Sequence, residues 1–162
     1  MKLGTPTRLA SLITLALLTS VPATFAATDT ATFHVTATVD PVCTVSSGGD
    51  LEFGMYAGSR LDATTTVKVT CTLGEPYTVA LNNGLHFDGT HRRMEKIAAS
   101  DHLQYDLYSD AGRTTAWNTT STVPGTGTGL VQSLDVYGRI PGGQILPLGD
   151  YSDTITVTVN YI

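Results

Sequence analysis

Two cysteines, four histidines, a glycine-rich run and a scatter of serines and carboxylates are the side chains here that could carry chemistry. Cys43 and Cys71 could hold a metal or close a disulfide, but neither has a histidine at ligand spacing. His34, His86, His91 and His102 are too scattered along the chain to form a ligand motif, so no metal site and no cofactor are expected. Gly125-Thr126-Gly127-Thr128-Gly129 lacks the Lys-Ser/Thr pair of a phosphate-cradling loop and leads into a strand-like segment, which reads as a flexible or bulged loop. No serine sits in a Gly-x-Ser-x-Gly elbow, and no nucleophile with a base is evident. Carboxylates cannot be paired into a glycosidase site from their order alone. His91-Arg92-Arg93 reads as a solvated basic loop. No catalytic residue is assigned, and an enzyme is not expected.

The start of the chain settles which thiol chemistry to expect. Lys2 and Arg8 precede the apolar run Leu9–Leu18, and Val21-Pro22-Ala23-Thr24-Phe25-Ala26 follows with small residues, the order of a secretory signal peptide cleaved after Ala26. About ten apolar residues are too few to span a bilayer of ~30 Å, so no membrane span is expected. In an oxidising compartment Cys43 and Cys71 are expected to form one bridge. The remaining 136 of 162 residues suit one domain. Two of the nine basic residues leave with the signal, so seven face fourteen acidic ones, a net charge near −7. That balance argues against nucleic acid or anionic lipid as the main partner.

The elements that must position these residues are strands. Thr and Val are frequent, charges are sparse, and no segment after the signal keeps a helical apolar period. Alternation recurs at 31–45, 65–73, 77–81, 103–108, 130–137 and 153–162, separated by turn-rich pieces such as Asn82-Asn83-Gly84 and Pro141-Gly142-Gly143. Regular short strands predict an all-β immunoglobulin-like sandwich. Residues 92–101 read as a surface excursion, and Trp117 as a core anchor.

Both ends of the mature chain are amphipathic ribbons. Ala31, Phe33, Val35, Ala37 and Val39 alternate with threonines and His34 until Asp40-Pro41, giving one apolar face over ~30 Å. Ile155, Val157, Val159 and Tyr161 alternate with Thr154, Thr156, Thr158 and Asn160 before the sequence stops at Ile162. Two readings stand on the pattern alone. The ribbons are the first and last strands of a closed sandwich, or the N-terminal ribbon of one copy fills a gap in the next, since an unclosed sheet exposes core and backbone that must be covered.

Several segments, in order, resemble the spore coat protein U domain family, whose members include subunits of archaic chaperone–usher pili. They are Ala31–Val39 running into Cys43-Thr44-Val45, Leu51–Tyr56, Val69-Thr70-Cys71-Thr72, Pro76–Asn82, Arg92-Arg93-Met94, Leu103–Asp110, Val136–Pro141 and Gly149–Val159. The resemblance implies a sandwich lacking its final strand, exported through the periplasm, held there by a chaperone and passed through an outer-membrane usher into a surface fibre that serves adhesion or biofilm. The partners are then that chaperone, that usher, and copies of itself or related subunits. Carried onto this sequence, Ala31, Phe33, Val35, Ala37 and Val39 would be the donor residues. Ile155, Val157, Val159 and Tyr161 would border the acceptor groove and contact the chaperone. The organisation expected is a signal peptide over 1–26, a donor segment over 27–40 and the sandwich over 41–162. The alternatives are a secreted spore-coat or matrix protein folding as a closed monomer, and an exported carbohydrate-binding or hydrolytic sandwich.

Overall fold

The longest strand, β2 (Leu61–Cys71), shows why this sequence folds as sheets: Val67, Val69 and Cys71 are buried, and Lys68 between them is exposed. Successive side chains of a strand point to opposite faces, so a Val/Thr alternation makes one core face and one polar face. The computed structural model describes residues 25–162, so residues 1–24 of the expected signal peptide lie outside it. The chain divides into an N-terminal unit ending at Ala37 and a second unit, Thr38–Ile162.

In the second unit, β1 (Cys43–Ser47), β2, β7 (Gln132–Ile140), β5 (His102–Tyr108), β4 (Arg92–Lys96) and β8 (Tyr151–Ser152) form one sheet in that order. β6 (Val123–Thr126), β3 (Pro76–Leu81) and β9 (Val157–Tyr161) form a second. Every pairing is antiparallel. The all-β immunoglobulin-like expectation is therefore met. Between the sheets lie Val69, Val79, Leu81, Leu107, Trp117, Val136 and Ile140, all buried. The Trp117 indole N–H donates to the Val79 carbonyl at 2.9 Å, so the largest core side chain also meets its one polar need. The disulfide joins Cys43 to Cys71, which are directly opposite in the β1–β2 register.

Two expectations change. Residues 31–42 form no strand, and β1 starts only at Cys43. A strand needs a neighbour for its backbone hydrogen bonds, and alternation alone supplies none. The supposed excursion at 92–101 contains β4, paired with both β5 and β8. Its charge concealed this because Arg92 turns inward, 4% exposed, and donates to the Asn82 carbonyl at 3.0 and 2.7 Å and to the Trp117 carbonyl at 2.8 Å. Burial lowers the pKa of its guanidinium from the ordinary arginine value.

The glycine run is structural. Gly125 sits in β6 opposite Tyr77, where a Cβ would strike the Tyr77 ring, and a Cβ at Gly127 would overlap the Thr72 carbonyl oxygen. These positions admit only glycine because other parts of the chain approach so closely.

Candidate functional site

The second unit carries an apolar groove of about 430 Å³ to which both sheets contribute. Val67 from β2, Leu107 from β5 and Val136 from β7 supply buried floor residues from the larger sheet. Leu81 from β3 and Val157 from β9 come from the smaller sheet. Leu51 and Phe53, between β1 and β2, complete the wall and stay only half-buried. In a finished sandwich, inward residues such as Leu51 and Phe53 would be fully covered.

Backbone capacity accompanies the apolar surface. β1 ends one sheet, β9 ends the other, and the two strands run close together. β9 is paired only with β3, so the backbone groups on its other side have no strand partner among the described residues. Such an edge is a template for another strand.

Polar groups at the groove are braced. Tyr105, edge-on to Phe53, donates its hydroxyl to Asp153 at 2.7 Å, and the other Asp153 carboxylate oxygen accepts the Leu85 N–H at 2.8 Å. Burial, reinforced by the Asp153 hydrogen bond, pushes the Tyr105 hydroxyl far above the usual tyrosine range and keeps it a neutral donor. Asp50 and Asp153 are the charged residues lining the groove, and both are acidic.

The residues named from sequence fall as follows. Ile155 and Val157 line the groove. Val159 packs against the core, and Tyr161 pairs across from Tyr77 but is 43% exposed. Ala31, Phe33, Val35 and Ala37 belong to the N-terminal unit, outside any strand and exposed, with Phe33 at 85%. Val39, in the second unit, is exposed as well. His34 is exposed beside them.

Sequence reasoning missed Leu51, Phe53, Val67, Leu107 and Val136 as groove residues. Their alternation marks them as inward-facing, but nothing in one strand tells which inward residues end up lining a groove. It also missed that His86 and His102, sixteen positions apart, meet around Glu95.

The spore coat protein U domain model matches residues 29–158, most of the chain and nearly all of the described part. The chain belongs to the spore coat protein U domain family. Among its relatives is Protein U of Myxococcus xanthus, 36% identical over 155 residues, an alignment covering 84% of this chain and 87% of that one. Among solved structures it is similar to a chain of the CsuC–CsuE chaperone–tip subunit pre-assembly complex from the archaic chaperone–usher Csu pili of Acinetobacter baumannii. That match has a TM-score of 0.56 at 27% identity and covers 75% of this chain. It spans only 40% of the solved chain. Together with the family match, it shows that this chain shares a β-sandwich fold with a protein of a chaperone–usher pilus complex.

Proposed function

We propose that this chain is a structural subunit of a chaperone–usher surface fibre and that it polymerises by donor-strand complementation. The observation that carries the reading is a pair of complementary deficits. An apolar groove and a free sheet edge lie in the sandwich, and the alternating segment at 31–39 pairs with no strand among the described residues. The segment of one copy supplies what the groove of the next lacks: Phe33, Val35 and Val39 as apolar side chains, and backbone donors and acceptors for β9. Burying those three side chains is worth roughly 5–9 kcal/mol at ~1.5–3 each, before ladder hydrogen bonds at ~0.5–1.5 kcal/mol apiece. Lost translational and side-chain freedom offsets part of that sum.

The partners follow from the same deficits. An exposed groove of this kind needs a periplasmic chaperone that lends a strand until the next subunit's 27–40 segment replaces it, and an outer-membrane usher that delivers the fibre to the cell surface. Ile155 and Val157 are the acceptor residues nearest the incoming strand, with Val159 and Tyr161 continuing the edge. Adhesion or biofilm formation is the role of the assembled fibre, and the subunit's own role is mechanical, not catalytic.

Deleting residues 27–40 is the deciding experiment. The shortened protein should still form a chaperone complex but fail to polymerise. Membership of a family named for the spore coat, and the identity to Protein U, favour a second reading, a secreted coat or matrix protein that folds as a closed monomer. A closed monomer would lose its first strand in the same deletion and unfold, with no chaperone complex to recover.

A further inference from the structure

We propose that His86, Glu95 and His102 form a binding site for one divalent first-row transition metal ion, with Zn²⁺ the fitting case. The site is independent of the groove. Each residue offers one ligand atom, and the three atoms lie within 4.8 Å of one another. His86 Nε2 is 3.5 Å from Glu95 Oε2, and His102 Nε2 is 3.7 Å from Glu95 Oε1. Bonds of ~2.0–2.2 Å to a tetrahedral zinc ion place neighbouring ligand atoms about 3.3–3.6 Å apart. Each histidine–carboxylate spacing, to a different Glu95 oxygen, is thus close to that of ligands around a shared ion and longer than a normal N–H···O hydrogen bond. Small side-chain rotations bring the three-atom set, within 4.8 Å, onto one ion.

The fold holds this arrangement from two sides. Glu95 in β4 and His102 in β5 are directly opposite in the strand register, so the sheet itself fixes their separation. His86 comes from the segment after β3, which Arg93 ties to β4. The Arg93 guanidinium donates to the His86 carbonyl at 2.9 Å and lies 3.9 Å from Asp88. The two imidazoles sit with ring centroids 5.8 Å apart and planes tilted by 55°, and each presents its Nε2 to the same carboxylate.

Donor chemistry selects the ion. Two imidazole nitrogens and one carboxylate oxygen suit zinc, copper and nickel better than magnesium or calcium, which prefer all-oxygen shells. The three side chains are 26–37% exposed, so a fourth position faces solvent and is filled by water or by a ligand from a neighbouring molecule. His91 is not part of the set, since it lies 3.5 Å from Asp106 instead. A bound ion would clamp the segment carrying His86 onto the β4–β5 hairpin, and binding to the native state alone raises thermal stability.

The test uses the untagged mature protein, stripped with chelator and titrated with ZnCl₂ by calorimetry. One equivalent should bind in the micromolar range or tighter and raise the melting temperature. Proton–nitrogen spectra of the wild type should show the rings of His86 and His102 perturbed by Zn²⁺, with those of His34 and His91 unmoved. His86→Ala, His102→Ala and Glu95→Gln should each weaken binding by at least about tenfold, and His91→Ala should leave it unchanged. No binding of Zn²⁺ at millimolar concentration overturns the proposal. So does binding that these variants leave intact, or spectra in which the two rings do not respond.

Discussion

Phe33→Asp is the sharpest perturbation of the proposed assembly. Phe33 is 85% exposed in the free subunit, so nearly its whole side chain would move from water into the neighbour's groove. Losing that burial costs about 1.5–3 kcal/mol, or roughly one to two decades of affinity at 1.4 kcal/mol per decade. The aspartate adds a penalty because Val67, Leu107 and Val136 on the floor offer no partner, and the charged lining residues, Asp50 and Asp153, repel it. An unpaired polar group brings the total to roughly 3–6 kcal/mol, two to four decades. The assay is binding of a peptide spanning residues 27–41 to the domain lacking its own segment, followed by strand-exchange competition. Affinity should fall in the order wild type, Phe33→Ala, Phe33→Lys, Phe33→Asp, because a lysine at least meets two carboxylates. The folded subunit should melt as before. Equal binding by all four peptides, or a Phe33→Asp subunit that no longer folds, would refute the reasoning.

Three further perturbations probe the scaffold. Gly127→Ala forces a methyl group against the Thr72 carbonyl and should cost about 1–3 kcal/mol in urea unfolding, whereas a wild-type midpoint would show that the loop yields freely. Replacing both Cys43 and Cys71 by serine should lose about 3–4 kcal/mol, the loop-closure value for a separation of 28 residues, and an unchanged denaturation midpoint would count against it. Asp62 accepts two hydrogen bonds from Arg139 at 2.7 and 3.0 Å, which hold its carboxyl below the usual range, aided by Arg113 and Arg60. Since its folded pKa is depressed, the stability it contributes is present above the unfolded value of ~3.9 and lost as pH falls through the folded one. Asp62→Asn should therefore lose roughly 0.5–1 kcal/mol at neutral pH, the size of a half-exposed pair, and show a shallower decline below about pH 4. Parallel acid profiles for the two proteins would disprove that assignment.

The sequence by itself determined the β class, the single disulfide and the two amphipathic ribbons, because period-two alternation and cysteine pairing in an exported chain are local or compositional properties. It also placed Trp117 in the core. It misread residues 92–96, since the inward turn of Arg92 depends on carbonyls of Asn82 and Trp117 that lie elsewhere in the chain. It left open whether 31–39 is a first strand or a donor segment, because only a pairing neighbour could decide that, and the described residues supply none. Which inward residues line the groove was a tertiary decision, because Leu51, Val67, Leu107, Val136 and Val157 come from separate segments and share a groove only once two sheets face each other. The histidines make the same point more strongly. As a sequence pattern they are scattered, but the β4–β5 register and the Arg93 tether bring His86, Glu95 and His102 to ligand spacing. Periodicity sets the face on which a side chain lies, and strand order and register set what it meets there.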